Sequence, residues 1–168
     1  MFKTKRDSKG NKARLIAKGF TQKEGIDYKE TFSPILMKDS FKIIMVLVTH
    51  FDLKLHQMDV SSFLMVTLKK IYMVQPDSFE VKGLQHLVCR LNKTIYGLKQ
   101  ASRQWYLKFD QVISDFDFMD NVVDQCIYHK FKESKLIFLV LYVDDILLAS
   151  NDMALLLETK SSLSKILR

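Results

Sequence analysis

The fifteen residues Leu136–Ser150 read LIFLVLYVDDILLAS, and they narrow the folds open to this chain more than any other stretch. An apolar run broken once by turn-forming residues is the pattern of a β-hairpin with both arms in a core. The break is Asp144-Asp145, and an ionised carboxylate buried without a partner is costly enough that it pairs or neutralises. The expected arrangement is strands over Leu136–Val143 and Ile146–Ser150 with both acids at the turn. Asp is a good turn residue. Tight hairpins nevertheless favour Asn-Gly or Asp-Gly, and two adjacent like charges repel. A divalent cation would relieve that repulsion; a merely solvated turn is the plainer alternative.

A third acid bears on the choice. Asp59 stands near the end of a predicted short strand, Leu55–Val60 (LHQMDV). If that strand lies beside the hairpin, three carboxylates converge at one sheet end. Such an oxygen-rich set suits Mg²⁺, which takes few protein ligands and keeps positions for water and phosphate. Two such ions about 4 Å apart clamp the attacking and leaving oxygens of a phosphoryl transfer. Between these acids lies Tyr96–Trp105, YGLKQASRQW. Gly97 permits close backbone approach, and Gln100 and Arg103 sit at a helix start, where an anion is stabilised. Trp105 reads as a core residue of an amphipathic helix.

The remaining pattern is mixed. Asp7–Asn11 marks a hairpin tip, with Ala13–Phe20 as its second strand and Thr21–Pro34 as loop. Asp39 or Ser40 can cap a helix over Phe41–Phe51, whose apolar residues nearly surround it, so burial on most sides is expected. Ile71–Val74 reads as strand, and Leu87–Leu91 and Thr94–Leu98 as strand or loop. Lys99–Phe118 is the clearest helix, with Trp105, Phe109, Val112, Ile113 and Phe116 on one face. Cys126–Phe131 is a strand, and Asp152 caps a final helix over Met153–Leu167. Helices and strands without regular alternation give an α+β class in one domain.

Of 168 residues, 48% are apolar and 27% charged, an ordinary globular balance. The net charge of +7 is uneven: residues 1–30 hold nine Lys or Arg against four Asp or Glu. A basic N-terminal arm suits a polyanionic partner such as nucleic acid, or else a solvated face. Cys89 and Cys126 are too few for a disulfide framework or a zinc site. The N-terminus shows no apolar signal region and no run is long enough for a membrane helix, so a soluble intracellular chain without membrane contact is expected.

Four blocks in order, KARLIAKGFTQKEGIDYKETFSP, HQMDV, IYGLKQASRQWYLKF and LYVDDILLAS, resemble the reverse transcriptase of copia-type LTR retrotransposon Pol polyproteins. The similarity covers nearly the whole chain. It implies the fingers and palm of a right-hand polymerase, about residues 1–55 fingers-like and 56–168 mainly palm. It implies RNA-directed DNA polymerase activity with two Mg²⁺ ions, or Mn²⁺ as a substitute. Asp59, Asp144 and Asp145 would be the catalytic, metal-binding acids, with Val60 beside them as a further metal ligand. Tyr142, Val143 and Lys99 would lie along primer and template. Lys12, Arg14, Phe63 and Gln100 would contact the deoxynucleoside triphosphate. The partners implied are an RNA or DNA template with its primer, in a cytoplasmic virus-like particle.

The chain departs from the family at three points. After Asp59 it runs VSSFLMVTLKK, two residues shorter than the family pattern and without its Asn-Gly turn, so the aromatic Phe63 stands four positions on and Leu64 five. SKGN runs straight into KARL. The sequence ends at LSKILR, before the thumb, connection and ribonuclease H segments that follow in the family. A fragment impaired by deletion and truncation is therefore expected. A remnant that binds nucleic acid without catalysis is one alternative; another two-metal enzyme such as a nuclease or cyclase is a further one, against which the YGLKQA block speaks.

Overall fold

The computed structural model describes residues 16–59, 67–76, 79, 83–84 and 86–167, apart from the side chains of residues 67–70. Its elements in order are α1 (Lys38–His50), β1 (Lys54–Asp59), β2 (Thr67–Val74), β3 (Val88–Lys93), α2 (Ala101–Ser114), β4 (Met119–Asp120), β5 (Ile127–Lys132), β6 (Lys135–Tyr142), β7 (Asp145–Ser150) and α3 (Met153–Ile166). The class is α+β, as the sequence pattern predicts. The chain divides into two compact units: Met1–Thr31 with Leu64–Gln104, and Phe32–Phe63 with Trp105–Arg168.

The second unit is built on a five-stranded antiparallel sheet in the order β1-β7-β6-β5-β4. Its central strands are apolar on both sides because both sides are covered. On one face Val140, Ala149 and Ile127 pack with Ile44 and Val48 of α1 and with Leu53. The alternate residues Leu139, Leu141, Ile146 and Leu148 face the other side and are also buried. α3 contacts β7, β6 and β1 and buries Leu156 and Leu163. Along α2, Trp105, Phe109, Val112 and Ile113 are buried at helical spacing. Trp105 and Phe109 stand 5.7 Å apart between ring centroids, and Phe109 meets Tyr128 edge-on at 5.8 Å. Tyr128 donates its hydroxyl to Asp110 at 3.1 Å, and burial drives its ionisation upward. Burial likewise pushes the Cys126 thiol up to about 12; Cys89 and Cys126 are both free.

In the first unit β2 pairs antiparallel with β3. Ala17 N–H donates to the Tyr96 carbonyl at 2.7 Å, and Ile16 and Tyr96 form a parallel bridge. This crossing depends on two glycines. Gly97 has φ +89°, a Cβ there would overlap the Ala17 carbonyl, and a Cβ on Gly19 would overlap the Gly97 carbonyl. The close approach expected of Gly97 is therefore an approach to its own chain.

Several expectations are corrected. α1 buries Ile44 and Val48, one stripe at a four-residue step, while Ile43 and Val46 are 61% and 65% exposed. A single sheet face covers only one side of a helix, whatever its composition. Neither Asp39 nor Ser40 caps α1: the N-cap is Met37, without a side-chain bond, and Asp39 pairs with Lys42 at 2.9 Å inside the first turn. Of the strand expected over Ala13–Phe20, residues 13–15 lie outside the described part, and Gly19–Thr21 form a 3₁₀ turn instead. α2 ends at Ser114, and Asp117 beyond it takes φ +59°. The expected hairpin tip at Asp7–Asn11 lies outside the described residues. The Asp152 cap of α3 is present, its Oδ1 accepting from Leu155 N–H at 2.7 Å.

Two measurements test this account. Gly97→Ala would add the cost of a left-handed alanine to a backbone overlap, and should destabilise the chain by at least about 2 kcal/mol in urea unfolding. The Leu155 N–H first, and then Lys135 at 3.1 Å, hold the Asp152 carboxyl below its ordinary value. A depressed folded-state pKa adds stability that is present above the unfolded value near ~3.9 and is lost as pH falls through the folded one. Asp152→Ala should therefore lower the melting temperature at neutral pH, and the gap to the parent chain should close on acidification below about 4.

Candidate active site

The register of three neighbouring strands builds this site. Tyr142 of β6 lies opposite Asp145 of β7, and Asp145 lies opposite Asp59 of β1. Directly paired residues share a sheet face, so Tyr142, Asp145 and Asp59 form a row at one end of the sheet. Gln57 lies two residues before Asp59 and is on the same face. Its Nε2 donates to Asp145 Oδ1 at 3.1 Å. Among the described residues none of Asp59, Asp144 and Asp145 has an ion-pair partner. Two carboxylates opposite one another, with Cβ atoms about 5 Å apart, repel, and the Gln57 amide moderates them by its bond to Asp145.

The turn differs from expectation by one residue. Asp145 is the first residue of β7, not a turn residue; the two central residues are Val143 and Asp144, because Tyr142 pairs with Asp145. Val143 takes φ +57° and Asp144 is not among the positive-φ residues. Positive φ at the first central position alone is the φ pattern of a type II′ turn, where Gly is usual. A β-branched residue there costs on the order of 1–3 kcal/mol. The Trp105 indole Nε1–H donates to the Val143 carbonyl at 3.1 Å, so this core side chain, 4% exposed, also holds the turn.

The donor set suits a divalent cation in part. Mg²⁺ is commonly held through one or two carboxylates, with substrate phosphates completing its shell, and the Asp59–Asp145 pair supplies two. The three acids do reach one end of the sheet. Among the described residues, however, no three His, Cys, Asp or Glu side chains form a group able to hold an ion by themselves. The triple convergence expected from the sequence is thus reduced to a facing pair with Asp144 on the adjoining turn.

The other expected site residues divide between the two units. Tyr142 and Val143 are exposed, at 58% and 56%. Gln100 is 6% exposed; its Oε1 accepts from Gln22 Nε2 at 3.1 Å and its Nε2 donates to the Asp27 carbonyl at 3.4 Å. Lys99 Nζ donates to the Tyr28 hydroxyl at 3.2 Å and to the Gln22 carbonyl at 3.3 Å. Arg103 pairs with Glu30 at 2.7 Å. Lys12, Arg14, Val60 and Phe63 lie outside the described residues. Three contributors were missed from sequence: Gln57, which strand alternation from Asp59 would have shown, the Trp105 N–H, which as a buried donor had to find an acceptor, and Gln22. Gln22 carried no signal at all.

Comparison with known proteins places this chain in a family. The family model described as Reverse transcriptase (RNA-dependent DNA polymerase) matches residues 1–168. The chain is 46% identical to the Retrovirus-related Pol polyprotein from transposon TNT 1-94 of Nicotiana tabacum, over 98% of this chain and 13% of that protein. It is 40% identical to the Pol polyprotein from transposon RE2 of Arabidopsis thaliana, over 92% of this chain and 11% of that protein. The figures for transposon RE1 of the same plant are 37%, 98% and 12%. The chain thus spans roughly an eighth of the length of these relatives. No solved structure matches it. No helix among the described residues is long and apolar enough to cross a membrane. This chain belongs to the reverse transcriptase (RNA-dependent DNA polymerase) family, in the form found in the Pol polyproteins of copia-type plant transposons.

Proposed function

We propose that the face carrying Tyr142, Asp145 and Asp59 is the nucleotidyl-transfer site of an RNA-directed DNA polymerase, with the second compact unit as palm and the first as fingers. The observation that carries the reading is the Tyr142–Asp145–Asp59 register, which gathers acids from separate sequence blocks onto one face without an ion-pair partner among the described residues. In the reaction a primer 3′-hydroxyl attacks the α-phosphate of a deoxynucleoside triphosphate, the new phosphodiester forms, and pyrophosphate leaves with the electron pair of the broken bond. Asp59 and Asp145, with Asp144 beside them and the Val60 carbonyl next along the chain, would hold divalent cations. When bound, those ions supply a lowered hydroxyl pKa and neutralise the leaving phosphates. Gln57 orients the Asp145 carboxylate, and exposed Tyr142 and Val143 offer a surface to the primer end. Lys12, Arg14, Phe63 and Gln100 are assigned to the nucleotide and Lys99 to the template. For Gln100 this requires exchange of its present bonds to Gln22 and Asp27. The basic N-terminal residues contribute salt-sensitive attraction to the nucleic-acid backbone.

A second reading is a remnant that binds nucleic acid without catalysis, for which the basic excess of residues 1–30, nine Lys or Arg against four Asp or Glu, would suffice. Primer extension on an RNA template with Mg²⁺ separates the two. Asp59→Asn and Asp145→Asn should each lower incorporation at least about a hundredfold. Mg²⁺ should raise the melting temperature of the parent chain and leave both variants unmoved. Incorporation that survives in Asp145→Asn would overturn the site. Salt-sensitive duplex binding with no incorporation would favour the remnant.

A further inference from the structure

Trp105 belongs to the block expected to contact nucleotide and template, and its indole N–H donates to the Val143 carbonyl at 3.1 Å. It reaches the turn between β6 and β7. We infer that Trp105 is a positioning residue for the reaction: its indole N–H fixes the peptide plane between Val143 and Asp144, and through that plane the direction of the Asp144 carboxylate. The inference rests on the functional reading above.

In a two-residue hairpin the peptide joining the two central residues is the one whose flip interconverts turn types. With Val143 at positive φ in either case, the flip changes the sign of φ at Asp144. Asp144 now stands outside the positive-φ set. A flip would carry it into that set and re-aim its Cβ. The carbonyl of this peptide is Val143 O, the acceptor of the Trp105 bond at 3.1 Å, so the flip breaks the bond.

The donor is itself well fixed. Trp105 is 4% exposed on the buried stripe of α2 and stacks obliquely with Phe109, which meets Tyr128 in the sheet. Indole offers one donor and no acceptor, so it can select only one of the two peptide orientations. Val143, by contrast, is more than half exposed. In place of the indole, water would hydrogen-bond its carbonyl in either orientation.

The chain holds a single tryptophan, so biosynthetic replacement of tryptophan alters this position alone. Substituting 3-benzothienylalanine, with sulfur in place of N–H, keeps the ring's shape and removes only the donor; Trp105→Phe removes donor and volume together. In steady-state primer extension the benzothienyl chain should lose about tenfold in kcat, with KM for the deoxynucleotide within about twofold. An unchanged kcat, or a change in KM alone, would overturn the inference. If the parent chain extends no primer, the polymerase reading fails, and positioning is read instead by NMR of the labelled full chain. Removal of the donor should then broaden or split the Asp144 amide signal and shift its HN–Hα coupling. An Asp144 signal identical to that of the parent overturns the inference, whatever the fate of the polymerase reading.

Discussion

β7 hydrogen-bonds along both edges, to β6 on one side and β1 on the other, and the row of Tyr142, Asp145 and Asp59 exists only because both registers hold. Side chains alternate between faces every residue, so a slip of one position in either pairing would move an acid to the opposite face. The buried face enforces both registers. Met58, Ile146 and Leu141 form a cross-strand row of buried residues, and they alternate with Asp59, Asp145 and Tyr142 on the same three strands. A slip would drive carboxylates into that row, a far larger penalty than any repulsion between the acids themselves. Core packing on one face thus sets the spacing of charges on the other.

Much of this was legible in the residues. The apolar arms around Asp144-Asp145, the stripe from Trp105 to Ile113 and the Asp152 cap each carry a local signal that tertiary packing leaves intact. What could not be read depends on partners distant in sequence. α1 looks apolar all round, but only contact with the sheet decides which stripe is buried. The turn was misplaced by one residue because composition favours Asp over Val at a turn, whereas the register of the flanking strands forces Val143 into it. The Gln22–Gln100 bond joins residues 78 positions apart, and nothing local announces it. Four expected site residues, Lys12, Arg14, Val60 and Phe63, fall outside the described part.

The Val143–Asp144 turn shows how a local penalty is sustained. A β-branched residue at positive φ costs on the order of 1–3 kcal/mol, and one indole hydrogen bond returns about 1 kcal/mol net. The bond alone does not balance the strain. The remainder comes from the double pairing of β7 and from the burial of Ile146 and Leu141 next to the turn, which hold the strand ends at the spacing a two-residue loop must span. Strain of this kind accumulates where surrounding structure over-determines a conformation, and functional sites are where it is commonly found.

Gln57 bears on the electrostatics of the proposed site. A cationic side chain in its place would also orient Asp145, through a charge-assisted bond stronger than the one observed. It would equally cancel the charge that makes the Asp59–Asp145 pair attractive to a divalent ion, and would compete with that ion for the same oxygens. A neutral amide donates one hydrogen bond, leaves the remaining lone pairs of the carboxylate available, and leaves the pair's negative charge intact. The facing acids therefore sit in a mildly unfavourable arrangement in the protein alone. A divalent cation at the proposed site would relieve that repulsion, and its binding would recover stability that the facing acids forgo.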